Sequence, residues 1–194
     1  MTNLSKWHDF YTNASGPIRF GNERSYRVAA EFLKDCATVQ DWGCGTCWLR
    51  QYIHGEYLGI DGSGPHVDEW ADLVEYTSEA EGICLRHVLE HNDDWRLILA
   101  NALASMRKRL VIVLSVPLAD EDIELSFNEY NSAPHISLCQ SELMEMVFKA
   151  PAKTVARGSI VELGSETCVF VSVDVEHDKA VEAALAKAVE EEHV

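Results

Sequence analysis

An acidic glycine turn, Asp41-Trp42-Gly43-Cys44-Gly45-Thr46-Cys47, follows the short run TVQ. Two glycines one residue apart let a ligand approach the backbone with no Cβ in the way. The helix expected to follow offers free N–H groups. A second carboxylate, Asp61, ends the run EYLGID, 16 residues past Gly45. A carboxylate there can accept the hydroxyls of a ribose. A dinucleotide fingerprint wants G-x-G-x-x-G, but Trp48 stands at the third glycine. Asp41 would oppose a diphosphate and suit an ammonium or sulfonium group. The pattern reads as a site for an adenosine-type ligand that carries positive charge and no phosphate.

Residues His87-Val88-Leu89-Glu90-His91 spell an inverted zincin string, H-x-x-E-H. That string needs a helix to bring both histidines onto one face. Here it opens at a strand end and runs into Asn92-Asp93-Asp94, a helix cap, which argues against zinc hydrolysis. No metal is expected. The alternative set is His87, Glu90, His91 and His135, whose imidazoles would suit a transition metal over magnesium. The plain alternative for Glu90-His91 is a structural turn. As a general base, His87 is the first candidate and His135 the second, since imidazole accepts a proton near neutral pH. A hydrogen-bonded structural histidine is the competing role for each.

The elements that must position these residues alternate along the chain. A helix is expected over 25–35, capped by Ser25, then a strand at 38–42, a short helix at 48–53 and a strand at 56–61. Residues 71–76 and 82–88 read as two more strands. Residues 95–108 read as an amphipathic helix capped by Asp93 or Asp94. The apolar run 109–117 reads as a central strand covered on both faces, and 141–150 as a helix. Residues 154–163 and 167–175 alternate as a hairpin about Gly164-Ser165. This order predicts an α/β fold: a Rossmann-like, doubly wound, mostly parallel seven-stranded sheet with a C-terminal antiparallel hairpin and helices on both faces. Ligands in such sheets bind at the carboxyl ends of the strands, where the strand order reverses. One domain is expected over 25–176. A cover segment over 1–24 precedes it, an acceptor-side insert lies at about 118–138, and an acidic tail follows over 177–194.

Of 194 residues, 16 are basic and 32 acidic, for a net charge of −16. Residues 61–150 hold 17 acidic side chains against 6 basic ones. So acidic a surface disfavours a nucleic-acid backbone or an anionic membrane as partner. No apolar run approaches the 18 residues or so of a membrane span, and MTNLSKWHDF lacks a signal-peptide shape. The spacings of the six cysteines fit neither a disulfide framework nor a double zinc knuckle. Cys36, Cys84 and Cys168 read as core thiols, and the protein as cytoplasmic with reduced cysteines.

With VQDWGCGTC (39–47), YLGIDGS (57–63), RHVLEHNDD (86–94) and RLVIVLSVP (109–117) in that order, the chain resembles the class I S-adenosylmethionine-dependent methyltransferases. The resemblance implies S-adenosylmethionine as cofactor and in-line methyl transfer to a small-molecule acceptor. It implies that Asp41 and the backbone of Gly43, Cys44 and Gly45 hold the methionine moiety, with Asp61 and Gly62 at the ribose. Thr77-Ser78 would border the adenine, and Leu85, Arg86 and His87 would line the transfer site. Leader segments in the family fold over the cofactor, so Tyr11 and Arg19 are expected at the methionine carboxylate. Trp7, Phe127, Tyr130 and Asn131 are the expected acceptor contacts. The acidic residues 120–122 and 124 are expected as a solvated rim. Methyltransferases of ubiquinone biosynthesis carry a Glu-x-x-Glu-His string where this chain has the metal alternative above. Two competing readings are a non-catalytic protein that binds S-adenosylmethionine or a like adenosine ligand, and a nicotinamide-dependent oxidoreductase.

Overall fold

A computed structural model describes residues 7, 11–12, 19–128, 133–150, 157–173 and 176–190, the last four as backbone only. Helix α1 (Glu23–Phe32) opens on Asn22, whose side chain accepts from Arg24 N at 3.0 Å. The expected cap, Ser25, instead donates back to the Asn22 carbonyl and is fully buried. Strand β1 (Thr38–Trp42) leads into the glycine turn and a five-residue 3-10 helix, Trp48–Tyr52. Strand β2 (Glu56–Asp61) ends on the acidic residue, as expected.

The third strand departs from the expectation. Residues 71–76 are turn and coil, and β3 is only Glu69–Trp70. Strand β4 (Ala80–Arg86) stops one residue before His87. Helix α2 (Trp95–Ser105) is followed directly by β5 (Met106–Leu114), whose last six residues are all buried. The insert is a separate hairpin, β6 (Ile123–Asn128) with β7 (Ala133–Ser137). Helix α3 (Gln140–Lys149), the antiparallel pair β8 (Arg157–Leu163) and β9 (Glu166–Ser172), and helix α4 (His177–Glu190) complete the chain.

The main sheet runs β3-β2-β1-β4-β5-β9-β8. Its first five strands are parallel, while β9 and β8 pair antiparallel. One core, with Trp42, Ile60, Leu85, Trp95 and Ile112, fills the face covered by α2 and α3. A second, with Val28, Phe32, Val111, Phe170 and Ala184, fills the face covered by α1 and α4. The sheet is thus doubly wound. Its order reverses between β1 and β4, which opens a crevice above their carboxyl ends. No helix of the described residues is long and apolar enough to cross a membrane.

Ile112, fully buried in the central strand, is a direct probe of this packing. Ile112→Ala is expected to lower stability by about 2–5 kcal/mol through lost transfer energy and a residual cavity. Urea denaturation measures it.

Candidate functional site

The crevice is lined by the turn after β1 (Gly43), the end of β2 (Asp61, Gly62, Ser63) and the stretch after β3 (Ala71, Asp72, Leu73). His87, Val88, His91 and Asn92, just beyond β4, form the facing wall, with Trp7 and Tyr11 above. Gly43 has φ +75, and a Cβ there would collide with Val88. Glycine is therefore required where the chain turns under the crevice.

Asp61 fastens this floor. Its Oδ2 accepts from Gly45 N at 2.9 Å, across 16 residues. Its Oδ1 accepts from Ser63 N and Ser63 Oγ, each at 3.0 Å. Burial raises Asp61 above the usual carboxylate range, against the lowering effect of hydrogen bonds from Gly45 N, from Ser63 N and Oγ, and from the Gly62 backbone.

Asp41 lies beneath the turn, 4% exposed, and accepts from Tyr57 Oη at 2.6 Å. Burial pushes it up to about 7, although the Tyr57 hydrogen bond opposes that rise. Tyr11 lies across the two flanking turns: a Cβ at Gly45 would be 2.8 Å from its hydroxyl, and one at Gly64 3.2 Å from its Cβ. The Tyr11 ring stacks on Trp7 at 5.8 Å, Trp7 meets His91 at 6.1 Å, and His91 stacks on His135 at 4.9 Å. This column of rings joins the N-terminal cover to the wall beyond β4.

His87 leaves the strand with φ +55, a left-handed conformation that costs a non-glycine residue energy. Its backbone N–H is held by the Val113 carbonyl at 2.8 Å. Its Nε2 lies 2.8 Å from Glu166 Oε1, and Glu166 is 3% exposed. The same oxygen accepts from Arg86 Nη2 at 2.8 Å. Burial raises the Glu166 carboxyl, but the His87 hydrogen bond and the Arg86 charge outweigh it and leave the group below its usual range. An ionised Glu166 can only accept, so Nε2 donates to it, while Nδ1 faces the Arg86 guanidinium, 3.5 Å from Nη1. Glu166 sits at the start of β9, 79 residues from His87, with no local sequence signal for this role.

Several expected contacts lie elsewhere. Ser78 donates to Gln40 Oε1 at 2.6 Å and precedes β4, so Thr77-Ser78 belong to the amino end of the strands. The true end of β3 brings Ala71, Asp72 and Leu73 to the crevice in their place. Leu85 is core. Arg86 points away from the crevice, stacked 3.7 Å from the Tyr26 ring centroid and bonded to Ser25. Arg19 is ion-paired with Glu23 at 3.0 Å. Phe127 is half exposed on β6, and Tyr130 and Asn131 lie outside the described residues. Asp122 is no solvated rim residue: it accepts from Trp95 Nε1, Arg96 and Cys139 N, pinning the insert to α2.

The metal alternative finds no shared centre. His87 turns to Glu166, His91 donates through Nδ1 to the Pro134 carbonyl at 2.9 Å, and Glu90 accepts from Ser115 N and Oγ. Among the described residues no three His, Cys, Asp or Glu side chains are grouped to hold a metal ion. His135 Nε2 lies 2.9 Å from Ser115 Oγ. Because that hydroxyl gives its proton to Glu90, the imidazole must be the donor to it. Burial and the neighbouring His91 lower the His135 pKa.

No protein-family model matches the chain, and no curated protein does. Solved structures match its fold. An O-methyltransferase family protein from Burkholderia thailandensis superposes with TM-score 0.56 at 14% identity, covering 76% of this chain. This chain spans only 55% of the length of that protein and of a second O-methyltransferase, from Nostoc punctiforme. Magnesium protoporphyrin IX methyltransferase from Synechocystis, with S-adenosylhomocysteine bound, matches 88% of this chain and 94% of its own at TM-score 0.56 and 12% identity. A protein of Rhodobacter sphaeroides named for the zinc-dependent alcohol dehydrogenases gives TM-score 0.63 at 9% identity, covering 89% and 98%. The chain has the fold of the class I S-adenosylmethionine-dependent methyltransferases.

The raised Asp41 carboxyl has a consequence for stability. A folded-state pKa near 7 against about 3.9 unfolded means the native state holds its proton more tightly. Asp41 therefore penalises folding increasingly as pH climbs from about 4 to about 7. In Asp41→Asn, the loss of stability across that window is expected to shrink by up to about 4 kcal/mol relative to the parent protein. Urea titrations at pH 4, 5.5 and 7 measure it; equal pH dependence in the two proteins would contradict the assignment.

Proposed function

We propose that the chain is an S-adenosylmethionine-dependent methyltransferase acting on a small-molecule acceptor. The observation that carries the reading is convergence. Gly43 after β1, Asp61 at the end of β2 and His87 beyond β4 meet in one crevice at the strand-order reversal. In this reading Asp61, which lines the crevice, accepts a ribose hydroxyl, and the stretch Ala71-Asp72-Leu73 borders the base. The buried acids Asp41 and Asp61 favour a cationic ligand over a diphosphate. The 3-10 helix after the turn has five residues, too short for the aligned dipole that stabilises a pyrophosphate. That feature weighs against the nicotinamide reading even though one fold neighbour carries a dehydrogenase name.

Methyl transfer is an in-line displacement at carbon, and the sulfonium is already activated. The protein's main task is to hold the acceptor against the methyl group. His87 is the candidate base: Glu166 holds Nε2 and orients the ring, and Nδ1 would take a proton from an acceptor hydroxyl by giving up its long 3.5 Å contact with Arg86 Nη1. Tyr11 packs on Gly45 and, with Trp7, forms the roof under which the methionine end of the ligand lies. His135, turned to Ser115, is a second wall residue behind His91.

Thermal melts with S-adenosylmethionine, S-adenosylhomocysteine, NADH and buffer test the cofactor. A ligand that binds only the native state raises the midpoint. Upward shifts are expected with the first two and none with NADH; four equal midpoints would sink the reading. Asp61→Ala is expected to lose most of the shift. A screen of small hydroxyl and amine compounds can then supply the acceptor. With it, His87→Asn is expected to lower kcat by about 10²-fold or more while S-adenosylhomocysteine still binds. Unchanged kcat would remove His87 from the chemistry.

A further inference from the structure

The glycine turn carries two cysteines that the proposed reaction does not use. Cys44 Sγ and Cys47 Sγ lie 3.4 Å apart. The turn between them is closed by Cys47 N donating to the Cys44 carbonyl at 2.8 Å. Gly45 at φ +55 and Cys47 at φ +56 are both left-handed, which coils the chain until the two sulfurs meet. A disulfide bond measures about 2.05 Å, so a local contraction of the turn suffices to form one. We propose that Cys44 and Cys47 are a peroxide-modifiable dithiol, whose reversible disulfide remodels the floor of the crevice and lowers its affinity for the adenosine ligand. The effect on ligand affinity rests on the methyltransferase reading; the disulfide chemistry does not.

The two thiols are unequal, as a nucleophile and its resolving partner must be. The hydrogen bond with Cys44, aided by Arg50 and Tyr57, lowers Cys47 below the usual thiol range, against burial and against the His66 carbonyl 3.2 Å from its Sγ. Cys44 correspondingly keeps its proton. Both side chains are less than a tenth exposed, which admits a small oxidant and screens a bulky one. The Cys47 thiolate attacks one oxygen of hydrogen peroxide, breaking the O–O bond, to give a sulfenic acid and hydroxide. Cys44 sulfur then displaces the sulfenic oxygen, forming the S–S bond and releasing water. The hydroxide takes up the proton first lost from Cys47. Two thiols and one peroxide become one disulfide and two waters, and a small dithiol returns the pair to the reduced state.

The consequence for the crevice follows from what the ring encloses. Gly45 and Thr46 lie between the two cysteines. Gly45 N–H is the group Asp61 holds at 2.9 Å, and Tyr11 rests on that residue. Drawing the sulfurs together pulls this peptide against Asp61 and the Tyr11 ring. Ligand and disulfide therefore compete for one conformation of the turn, and by linkage a bound ligand protects the thiols.

The test uses the full chain with Cys139→Ser, because Cys139 is the more exposed thiol. After stoichiometric hydrogen peroxide, mass spectrometry is expected to find a peptide linked between Cys44 and Cys47, two hydrogens lighter and restored by dithiothreitol. Cys47→Ser abolishes the link, and Cys44→Ser leaves a sulfenic acid on Cys47 that dimedone traps. Calorimetric titration with S-adenosylhomocysteine is expected to show binding at least about tenfold weaker after oxidation, with no peroxide effect in Cys47→Ser. Both thiols staying alkylatable, or over-oxidation of Cys47 without a link, overturns the site. A disulfide with equal affinity in both states overturns its control of the crevice. A disulfide in a protein that binds the ligand in neither state leaves the dithiol standing and removes the methyltransferase reading.

Discussion

The crevice depends on the carboxylate of Asp61. Parallel strands β1 and β2 are held together along their length by backbone bonds, and the Ile60 carbonyl takes the Gly43 and Cys44 N–H groups where the turn begins. Asp61 fixes the turn beyond by reaching from the end of β2 to Gly45 N–H, and by turning its own chain back through Ser63. Hydrogen bonds to a charged acceptor are roughly twice as strong as neutral ones. Without this strap the peptide at Gly45 would have to satisfy its N–H elsewhere, and the floor would lose its shape. The group that organises the turn also lines the crevice, so its structural role and its proposed binding role fall on one side chain.

On the opposite wall the constraint is a buried triad. Arg86 and His87 are adjacent in sequence yet both end on Glu166. Strand alternation should send neighbours to opposite faces. The left-handed turn at His87 brings its ring back to the carboxylate that neutralises Arg86. Breaking one partner of a buried pair leaves an uncompensated charge and costs several kcal/mol, so the triad locks the first residue after β4. Gly21 closes this cluster: a Cβ there would sit within 3 Å of all three side chains. The cost of φ +55 at His87 is thus offset by fixed geometry at the point where chemistry is proposed.

Much of this was legible in the sequence, and the failures have physical causes. Strand β1, the glycine turn and β2 were readable because composition, turn chemistry and the closing acid all agree locally. Strand β3 was not, since its two residues are exposed and carry no apolar pattern. The apolar letters of 71–76 drew the strand there instead, although Leu73 and Tyr76 pack as a wrapping turn. That reading put the expected adenine border at Thr77-Ser78, which lie before β4 and not in the crevice. Strand β6 offers no buried face to mark the hairpin β6–β7, because it is exposed throughout. Glu166 follows Gly164-Ser165 with no local signal of its role, because the partner that meets its carboxylate lies 79 residues earlier. Arg86 illustrates the reverse error: its sequence position suggested the crevice, while the pleat and Glu166 claim it.

The acidity of the chain acquires a local meaning here. Asp41, Asp61 and Asp72 surround or underlie the crevice, and the nearest buried cation, Arg86, is already committed to Glu166. A diphosphate would add negative charge to this setting with no free guanidinium to meet it. A sulfonium or ammonium does the opposite. Asp41, held near 7 by burial, lacks a counter-ion in its hydrogen-bond shell, since its partner Tyr57 is a neutral donor. On the proposed reading, a cation bound above the turn would add to the distant Arg86 charge, favour the ionised carboxylate and release a proton on binding. This gives a reason for an acid at a site where an apolar residue would make the fold more stable.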